Sequence, residues 1–178
     1  MLKIAVEAEE KWGAALMVWW GGDGAVRVLA HEGDALLLKR ASGEGSLVEM
    51  SRNGRDDEAS RIICTVAAHL HAPKTSPPPA LLPLSHWFRE LNPAASKYGG
   101  ILVQAAAMAD ELLAEPHDVV VLHGDIHHGN ILDAGPRGWL AIDPKRLVAS
   151  AALTSQTSSA IPIWKSPPSL GGWQDKRR

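Results

Sequence analysis

The sequence has a single cysteine, Cys64, and lacks any long apolar run in its 178 residues. One cysteine cannot form an internal disulfide, and such scarcity suits a reducing compartment. No stretch of about 18 consecutive apolar residues is present, so no membrane span is predicted. The first residues lack a signal-peptide pattern, because Met1-Leu2-Lys3 leads directly into an acidic segment. These absences predict a cytoplasmic protein with no membrane partner.

Aromatic residues other than tryptophan are almost absent, with one tyrosine, one phenylalanine and seven tryptophans. Trp12, Trp19 and Trp20 lie in a segment that is predicted to be helical, and no basic patch accompanies them. Stacking of nucleic-acid bases on aromatic rings requires such a positive surface. The three tryptophans are therefore predicted to be packing residues, and no nucleic-acid partner is expected.

The net charge of −2 is unevenly distributed along the chain. Residues 145–178 hold six basic side chains and one acidic one, a net charge of +5, which leaves −7 for the first 144 residues. An acidic body attracts a polycationic substrate. Ordinary solvation of acidic side chains explains the same distribution equally well. The charge alone therefore does not decide between a polycationic substrate and a solvated acidic surface.

Two short motifs carry the most chemical information: HGDIHHGNIL at residues 123–132 and AIDP at residues 141–144. Phosphoryl transfer from ATP to a hydroxyl needs a carboxylate that accepts the proton, together with an asparagine and a second carboxylate that hold Mg²⁺. Asp125, Asn130 and Asp143 supply these groups in that order. The first two have the separation found in the H-R-D-x-x-x-x-N loop of protein kinases. We therefore predict Asp125 as the catalytic base, with Asn130 and Asp143 as ligands of Mg²⁺ and ATP.

A zinc site is the rival interpretation of the same segment, because His123, His127 and His128 are close in sequence. On a helix, His123 and His127 would share one face, as in H-E-x-x-H zinc sites. Gly124 and Gly129 interrupt any helix there, and no glutamate follows the first histidine. The zinc interpretation is therefore the weaker one.

The sequence resembles the aminoglycoside/hydroxyurea phosphotransferases, and most closely the streptomycin 6-kinases among them. That family has a loop like HGDLHHEN followed by RGWLAIDP, and this chain has HGDIHHGN followed by RGWLAIDP. The resemblance extends to about Leu147 through further matching segments at residues 19–28, 35–43, 56–59 and 70–73. Gly129 and Lys39 are departures, since the family often has glutamate at both positions.

The resemblance implies a protein-kinase-like bilobal α+β fold. Residues 1–43 would form a partial N-terminal lobe, with a lysine strand, a helix, two strands and a hinge. Residues 44–147 would form a helical C-terminal lobe with the catalytic loop, and residues 148–178, rich in serine, threonine and proline, would be a disordered tail. The implied activity is ATP-dependent phosphorylation of an aminoglycoside of the streptomycin type, or of a hydroxyurea-like compound, by a monomer that confers antibiotic resistance.

The resemblance also assigns residues to the nucleotide. Lys3 aligns with the lysine that contacts the α- and β-phosphates, and Glu10 on the next helix would be its ion-pair partner. The segment from Lys39 to Ala41 would be the connection that binds adenine. The alternative for Lys3 is a frayed terminal residue, because a strand of three residues has few partners.

Both ends of the chain depart from the family pattern. The phosphate-covering glycine loop, which precedes the lysine strand in kinases, is not in the sequence, so an incomplete N-terminal lobe is expected. After Leu147 the sequence no longer follows the family, although a shifted reading frame with suitable codons would restore an FDFANIF-type continuation. The second hypothesis is therefore a non-catalytic remnant with a truncated C-terminal lobe.

Sequence patterns also predict the main elements. Residues 7–20 are expected to form a helix in which Gly13 is a weak point. Strands are expected at residues 25–30 and 35–39, and further helices at 56–71, 84–91 and 98–115.

Overall fold

The computed structural model describes residues 1–6, 8–114 and 119–150. Helices and strands are mixed along these residues, which confirms the predicted α+β class. A single large core cluster contains residues from both expected lobes, including Leu16 and Leu38 on one side and Ile63 and Ile131 on the other. The bilobal arrangement itself stays a prediction. No helix in the described ranges combines the length and the apolar character needed to cross a membrane.

The N-terminal part is a three-stranded antiparallel sheet with one helix. The elements are β1 (Leu2–Ile4), α1 (Ala8–Trp20), β2 (Val28–Glu32) and β3 (Ala35–Leu38). The strand order is β1-β3-β2, so β3 is central. The helix and both hairpin strands lie within three residues of their predicted bounds.

Strand β1 is anchored along its whole length, which contradicts the alternative of a frayed Lys3. Lys3 lies opposite Leu36 in the antiparallel ladder. The Met1 ammonium donates to the Leu38 carbonyl oxygen at 2.8 Å, and the Leu38 amide donates to the Met1 carbonyl oxygen at 2.8 Å. Central strand β3 supplies the partners that the short sequence of β1 could not reveal.

Two helices follow the connecting segment 39–46. The first is α2 (Leu47–Arg52), which the sequence did not predict, with Ser46 accepting a hydrogen bond from the Glu49 amide at its start. The second is α3 (Asp56–His71), which has its predicted bounds. Its buried side chains recur at helical spacing, so this face packs on the core: Ala59, Ile63, Val66 and Leu70.

The next segment contains β4 (Leu82–Pro83), α4 (Leu84–Trp87), α5 (Leu91–Tyr98) and α6 (Ile101–Ala114). The prediction of a helix beginning at residue 98 was wrong, because Gly99 and Gly100 adopt φ values of 63° and 60°. These left-handed conformations suit glycine and end a helix. The predicted helix 84–91 is likewise divided, with α4 ending at Trp87.

The remaining strands surround the predicted catalytic loop. They are β5 (Val119–Leu122), β6 (Ile131–Asp133), β7 (Trp139–Ala141) and β8 (Leu147–Ser150). Strands β6 and β7 form a hairpin, while β8 pairs with β5 antiparallel and with β4 parallel. The strand β8 reaches residue 150, so residues 148–150 do not belong to a disordered tail. The other residues of the predicted tail, 151–178, lie outside the described residues.

The tryptophans of α1 have different environments. Trp20 is buried and stacks on the His123 ring at 6.2 Å between ring centroids, and Trp19 packs against the core while half-buried. Trp12 is 45% exposed, so it packs at the surface. The Arg146 guanidinium lies over its ring, 4.0 Å from the centroid.

Helix α1 lies directly against the segment that contains Asp143. A Cβ atom at Gly13 would overlap the carbonyl oxygen of Pro144. The glycine that the sequence marked as a weak point in the helix is therefore what permits this close approach.

We expect Gly13→Ala to destabilise the protein by about 1–3 kcal/mol, because the added methyl group must displace the helix or the Pro144 backbone. An ordinary glycine in a helix would show the reverse, a gain of up to about 1 kcal/mol on change to alanine. Urea unfolding measures the difference. Val18→Ala is the control on the exposed side of the same helix, with an expected change within about 0.5 kcal/mol. A stabilising Gly13→Ala would contradict the contact.

Candidate active site

Five of the residues predicted for catalysis and nucleotide binding line one cleft: Lys3, Glu10, Asp125, Asn130 and Asp143. The cleft has a volume of about 230 Å³. Cavities that enclose a whole drug-sized ligand usually measure about 300–1,000 Å³. The size therefore suits the phosphate groups of a nucleotide more than an entire nucleotide.

Lys3 connects three elements of the cleft. Its Nζ lies 2.8 Å from Asp143 Oδ1 and 3.6 Å from Glu10 Oε1. The expected pairing with Glu10 is therefore present, but the shorter contact is with Asp143, which the sequence did not suggest. Glu10 also accepts a hydrogen bond from the Val6 amide at 2.9 Å, which holds its carboxylate near the start of α1. A cation and two carboxylates consequently converge where β1, α1 and the AIDP motif meet.

Asn130 is buried and its amide has a defined orientation. Its Nδ2 donates to the Asp125 carbonyl oxygen at 2.9 Å. Because a carbonyl oxygen only accepts hydrogen bonds, this contact assigns the nitrogen and leaves Oδ1 on the other side of the amide. Asn130 therefore offers an oxygen, the atom type that Mg²⁺ prefers.

Asp143 has an unusual backbone conformation. Its φ of 58° makes it the one residue other than glycine with a positive φ in the described ranges. Such a conformation costs about 1–3 kcal/mol and persists where surrounding contacts impose it. Here the Ile142 amide donates to the Asn130 carbonyl oxygen at 2.9 Å, and the Lys145 amide donates to the His123 carbonyl oxygen at 2.7 Å. The turn is thus held on both sides of Asp143.

His123 is buried and connects the two motifs through both ring nitrogens. Its Nε2 lies 2.8 Å from the Ile142 carbonyl oxygen, and the Asp125 amide donates to Nδ1 at 3.3 Å. The carbonyl can only accept and the amide can only donate, so the ring carries its proton on Nε2 and is neutral. Burial lowers the pKa of His123 to about 4, although the Ile142 carbonyl and the Asp125 and Asp143 carboxylates act in the opposite direction.

The same contacts remove the basis for a zinc site. Both nitrogens of His123 are engaged within the protein, so this ring has no lone pair to give a metal. Over the described part of the chain, no three His, Cys, Asp or Glu side chains are grouped to hold a metal ion.

The Asp125 side chain is exposed to the cleft. Within the described part of the chain, no group donates a hydrogen bond to its carboxylate, although its backbone is held by His123 and Asn130. A carboxylate with a fixed backbone and free oxygens is able to accept a proton from a bound hydroxyl.

Lys39 and Ala41 are not among the residues that line the cleft. Lys39 is exposed, and its backbone amide donates to the Arg27 carbonyl oxygen at 2.9 Å. Their assignment to adenine stays a prediction. Conversely, the cleft includes His127 and Lys145, to which the sequence gave no role in phosphoryl transfer. For His127 a signal was available, since it stands two residues after Asp125 in the same motif.

Comparisons with known proteins match most of the chain. Residues 1–155 match the family model described as aminoglycoside/hydroxyurea antibiotic resistance kinase. A streptomycin 3''-kinase of Klebsiella pneumoniae is 51% identical over 83% of this chain and 55% of its own length. A streptomycin 6-kinase of Streptomyces griseus is 35% identical over 83% of this chain and 50% of its own length. A hydroxyurea phosphotransferase of Kitasatospora aureofaciens is 35% identical over 82% of this chain and 45% of its own length.

The chain spans about half the length of the curated relatives it matches. The identity to the 3''-kinase exceeds that to the 6-kinase, which the sequence motifs had suggested as the nearer likeness. No solved structure matches the chain.

The neutral His123 gives an expected pH dependence of stability. Its pKa of about 4 lies below the ordinary value of 6.5, so between these values the unfolded chain binds more protons than the folded protein. The stabilisation is therefore complete above about pH 6.5 and is lost as the pH falls toward 4, by about 3 kcal/mol. Urea unfolding between pH 7 and pH 4 measures it.

His123→Gln is the matched variant, because its amide retains a donor for Ile142 but does not titrate. The fall in stability between pH 7 and pH 4 is expected to be smaller in this variant by about 3 kcal/mol. Equal pH dependence in both proteins would show that His123 is not buried as a neutral ring.

Proposed function

Because the chain belongs to the aminoglycoside/hydroxyurea antibiotic resistance kinase family, we propose that it transfers the terminal phosphoryl group of ATP to a hydroxyl of a streptomycin-type aminoglycoside. The observation that carries the proposal is the convergence of Lys3, Asp125, Asn130 and Asp143 on one cleft. ATP as the donor and resistance to the antibiotic as the outcome are parts of the same proposal. ATP is available in the cytoplasm, where we propose that the protein acts as a monomer.

Each group has a proposed role that follows from its chemistry. Asp125 orients the acceptor hydroxyl and takes its proton as the phosphoryl group is transferred. Lys3 contacts the α- and β-phosphates, and Glu10 holds the Lys3 ammonium in place. Lys39 to Ala41 contribute the connection beside the adenine.

The residues present fit Mg²⁺. Asn130 Oδ1 and the Asp143 carboxylate are hard oxygen ligands, and Mg²⁺ is usually held by one or two carboxylates together with substrate phosphates and water. Bound Mg²⁺ would neutralise the charge on the phosphate oxygens. The Lys3 ammonium lies 2.8 Å from Asp143 Oδ1, so a contact between Lys3 and the phosphates would require the ammonium to turn away from Asp143.

The proposed substrate class follows from the charge of the cleft and from the relatives. Glu10, Asp125 and Asp143 contribute three carboxylates to its lining, against the ammonium groups of Lys3 and Lys145. A cleft lined by more carboxylates than ammonium groups attracts guanidinium groups. Two of the relatives are named as streptomycin kinases and one as a hydroxyurea phosphotransferase, so a hydroxyurea-like acceptor is the alternative substrate.

A second proposal is a non-catalytic remnant of such a kinase, which is inactive as an isolated chain. Large apolar side chains are exposed on α6 and β1, among them Ile101 at 78%, Met108 at 62% and Leu2 at 64%. Apolar surface of this kind is usually covered in a soluble enzyme. The remnant would retain the catalytic loop but would not turn over.

We expect Asp125→Asn to lower phosphoryl transfer to streptomycin by roughly 10²–10⁴-fold, because the amide cannot accept the hydroxyl proton. Its melting temperature should stay close to that of the wild type, since no described group donates to the carboxylate. Coupled measurement of ADP release gives the rate. Asp133→Asn is the control: Asp133 accepts hydrogen bonds from the amides of Gly45 and Gly135, so its loss should lower stability more than rate. Retention of more than about a third of the activity by Asp125→Asn would rule out its role.

Thermal melting with Mg-ATP separates the enzyme from the remnant. A ligand present at about 100 times its Kd stabilises the folded state by about 2.7 kcal/mol, which corresponds to roughly 5–10 °C. Asp143→Ala should reduce the shift given by Mg-ATP more than the shift given by ATP with a chelator. No shift in the wild type at millimolar Mg-ATP would contradict the proposed enzyme and favour the remnant.

A further inference from the structure

We propose that His127 is a further catalytic residue, whose Nε2–H donates a hydrogen bond to an oxygen of the phosphoryl group in transfer. The inference rests on the proposed function and assigns a residue to it that neither the motif nor the relatives assign. It follows from the position of the ring in the cleft and from the contact made by its other nitrogen.

The His127 side chain lines the same cleft as Asp125. His127 has an extended conformation, with φ of −153° and ψ of 174°. Ile126 between them packs against the core, whereas Asp125 and His127 both line the cleft. The proposed base and the imidazole are thus presented to the same bound phosphoryl group.

A backbone contact fixes which nitrogen of His127 carries the proton. The Gly129 amide donates to Nδ1 at 3.1 Å. Since Nδ1 accepts, the neutral ring has its hydrogen on Nε2. No group within the described ranges bonds to this Nε2–H, which leaves it available to a ligand. A Cβ atom at Gly129 would lie 3.0 Å from His127 Cε1, so the glycine leaves the ring room to lie against the loop.

The two neighbouring histidines do not offer an equivalent donor. His123 is buried and uses both nitrogens within the protein. His128 is half-buried, does not line the cleft, and has its Nε2 3.5 Å from Asp56 Oδ1. Of the three histidines, His127 alone combines a free N–H with a position in the cleft.

A donor fixed before the reaction stabilises charge that develops on the phosphoryl oxygens, because the protein need not reorganise. Loss of one such donor from a well-enclosed site costs about 10²–10³-fold in kcat. His127 is exposed, and water screens its interaction. We therefore expect a loss of about 10- to 100-fold.

Two variants separate the catalytic role from the turn contact. His127→Asn can place its amide oxygen where Nδ1 accepts from Gly129, but it removes the Nε2 donor. His127→Gln can place its amide N–H where Nε2 lies, but it loses the acceptor for Gly129. We expect His127→Asn to lose about 10- to 100-fold in kcat with little change in melting temperature or in the KM for ATP. His127→Gln should stay within about fivefold of the wild-type kcat and melt at a lower temperature.

A binding measurement gives a readout without turnover. Isothermal titration calorimetry compares Mg-ADP alone with Mg-ADP plus aluminium fluoride, which imitates the phosphoryl group in transfer. His127→Asn should bind Mg-ADP within about twofold of the wild type, and its gain in affinity from aluminium fluoride should be about 10- to 100-fold smaller.

Equal fluoride effects in both proteins would overturn the inference, and so would the reverse ranking of the two variants in kcat. A wild-type chain that binds no Mg-ADP would overturn the proposed function and this inference with it. Wild-type binding with an unchanged His127→Asn would leave the proposed function in place and remove only the role of His127.

Discussion

The neutral ring of His123 is the contact on which the geometry of the cleft depends. The two motifs are separated in sequence by the β6–β7 hairpin, and the imidazole joins them by accepting from the Asp125 amide and donating to the Ile142 carbonyl. Burial on Trp20 keeps the ring uncharged, so both hydrogen bonds have one defined direction. The Nε2–H of the neutral His123 ring donates to the Ile142 carbonyl oxygen. This hydrogen bond helps to hold the next residue in the turn, Asp143, at a positive φ, which is costly for residues other than glycine. A protonated ring would lose the acceptor that the Asp125 amide requires.

The second constraint is the position of α1. Gly13 lets the helix approach Pro144 without a side chain between them. Trp12, on the same helix, packs its ring against the Arg146 guanidinium. Glu10 is thereby brought near Lys3, which lies between Glu10 and Asp143. The helix, the lysine strand and the AIDP motif are thus fixed together by packing as well as by charge. Asp125 lines the same cleft, and no group within the described ranges donates a hydrogen bond to its carboxylate.

The sequence predicted the residues whose chemistry is set by spacing, and missed what depends on tertiary contacts. Asp125, Asn130 and Asp143 share a cleft because short strands flank them, as the apolar runs indicated. The buried face of α3 followed from its periodicity, whereas α2 has too few residues to show one. The approach of α1 to Pro144 and the Lys3–Asp143 contact arise between segments far apart in sequence, so no local pattern contains them. His127 was considered only as a zinc ligand, because its tautomer depends on a backbone amide that the sequence does not display.

A crystal structure of the chain with Mg²⁺ and a non-hydrolysable ATP analogue tests the central claim most directly. The expected result is a metal ion about 2.0–2.1 Å from oxygens of Asn130, Asp143 and the β- and γ-phosphates. Lys3 should have moved from Asp143 to the phosphates, with His123 unchanged between Ile142 and Asp125. A nucleotide bound outside the cleft, or a metal ion bound by His127 and His128, would contradict the account.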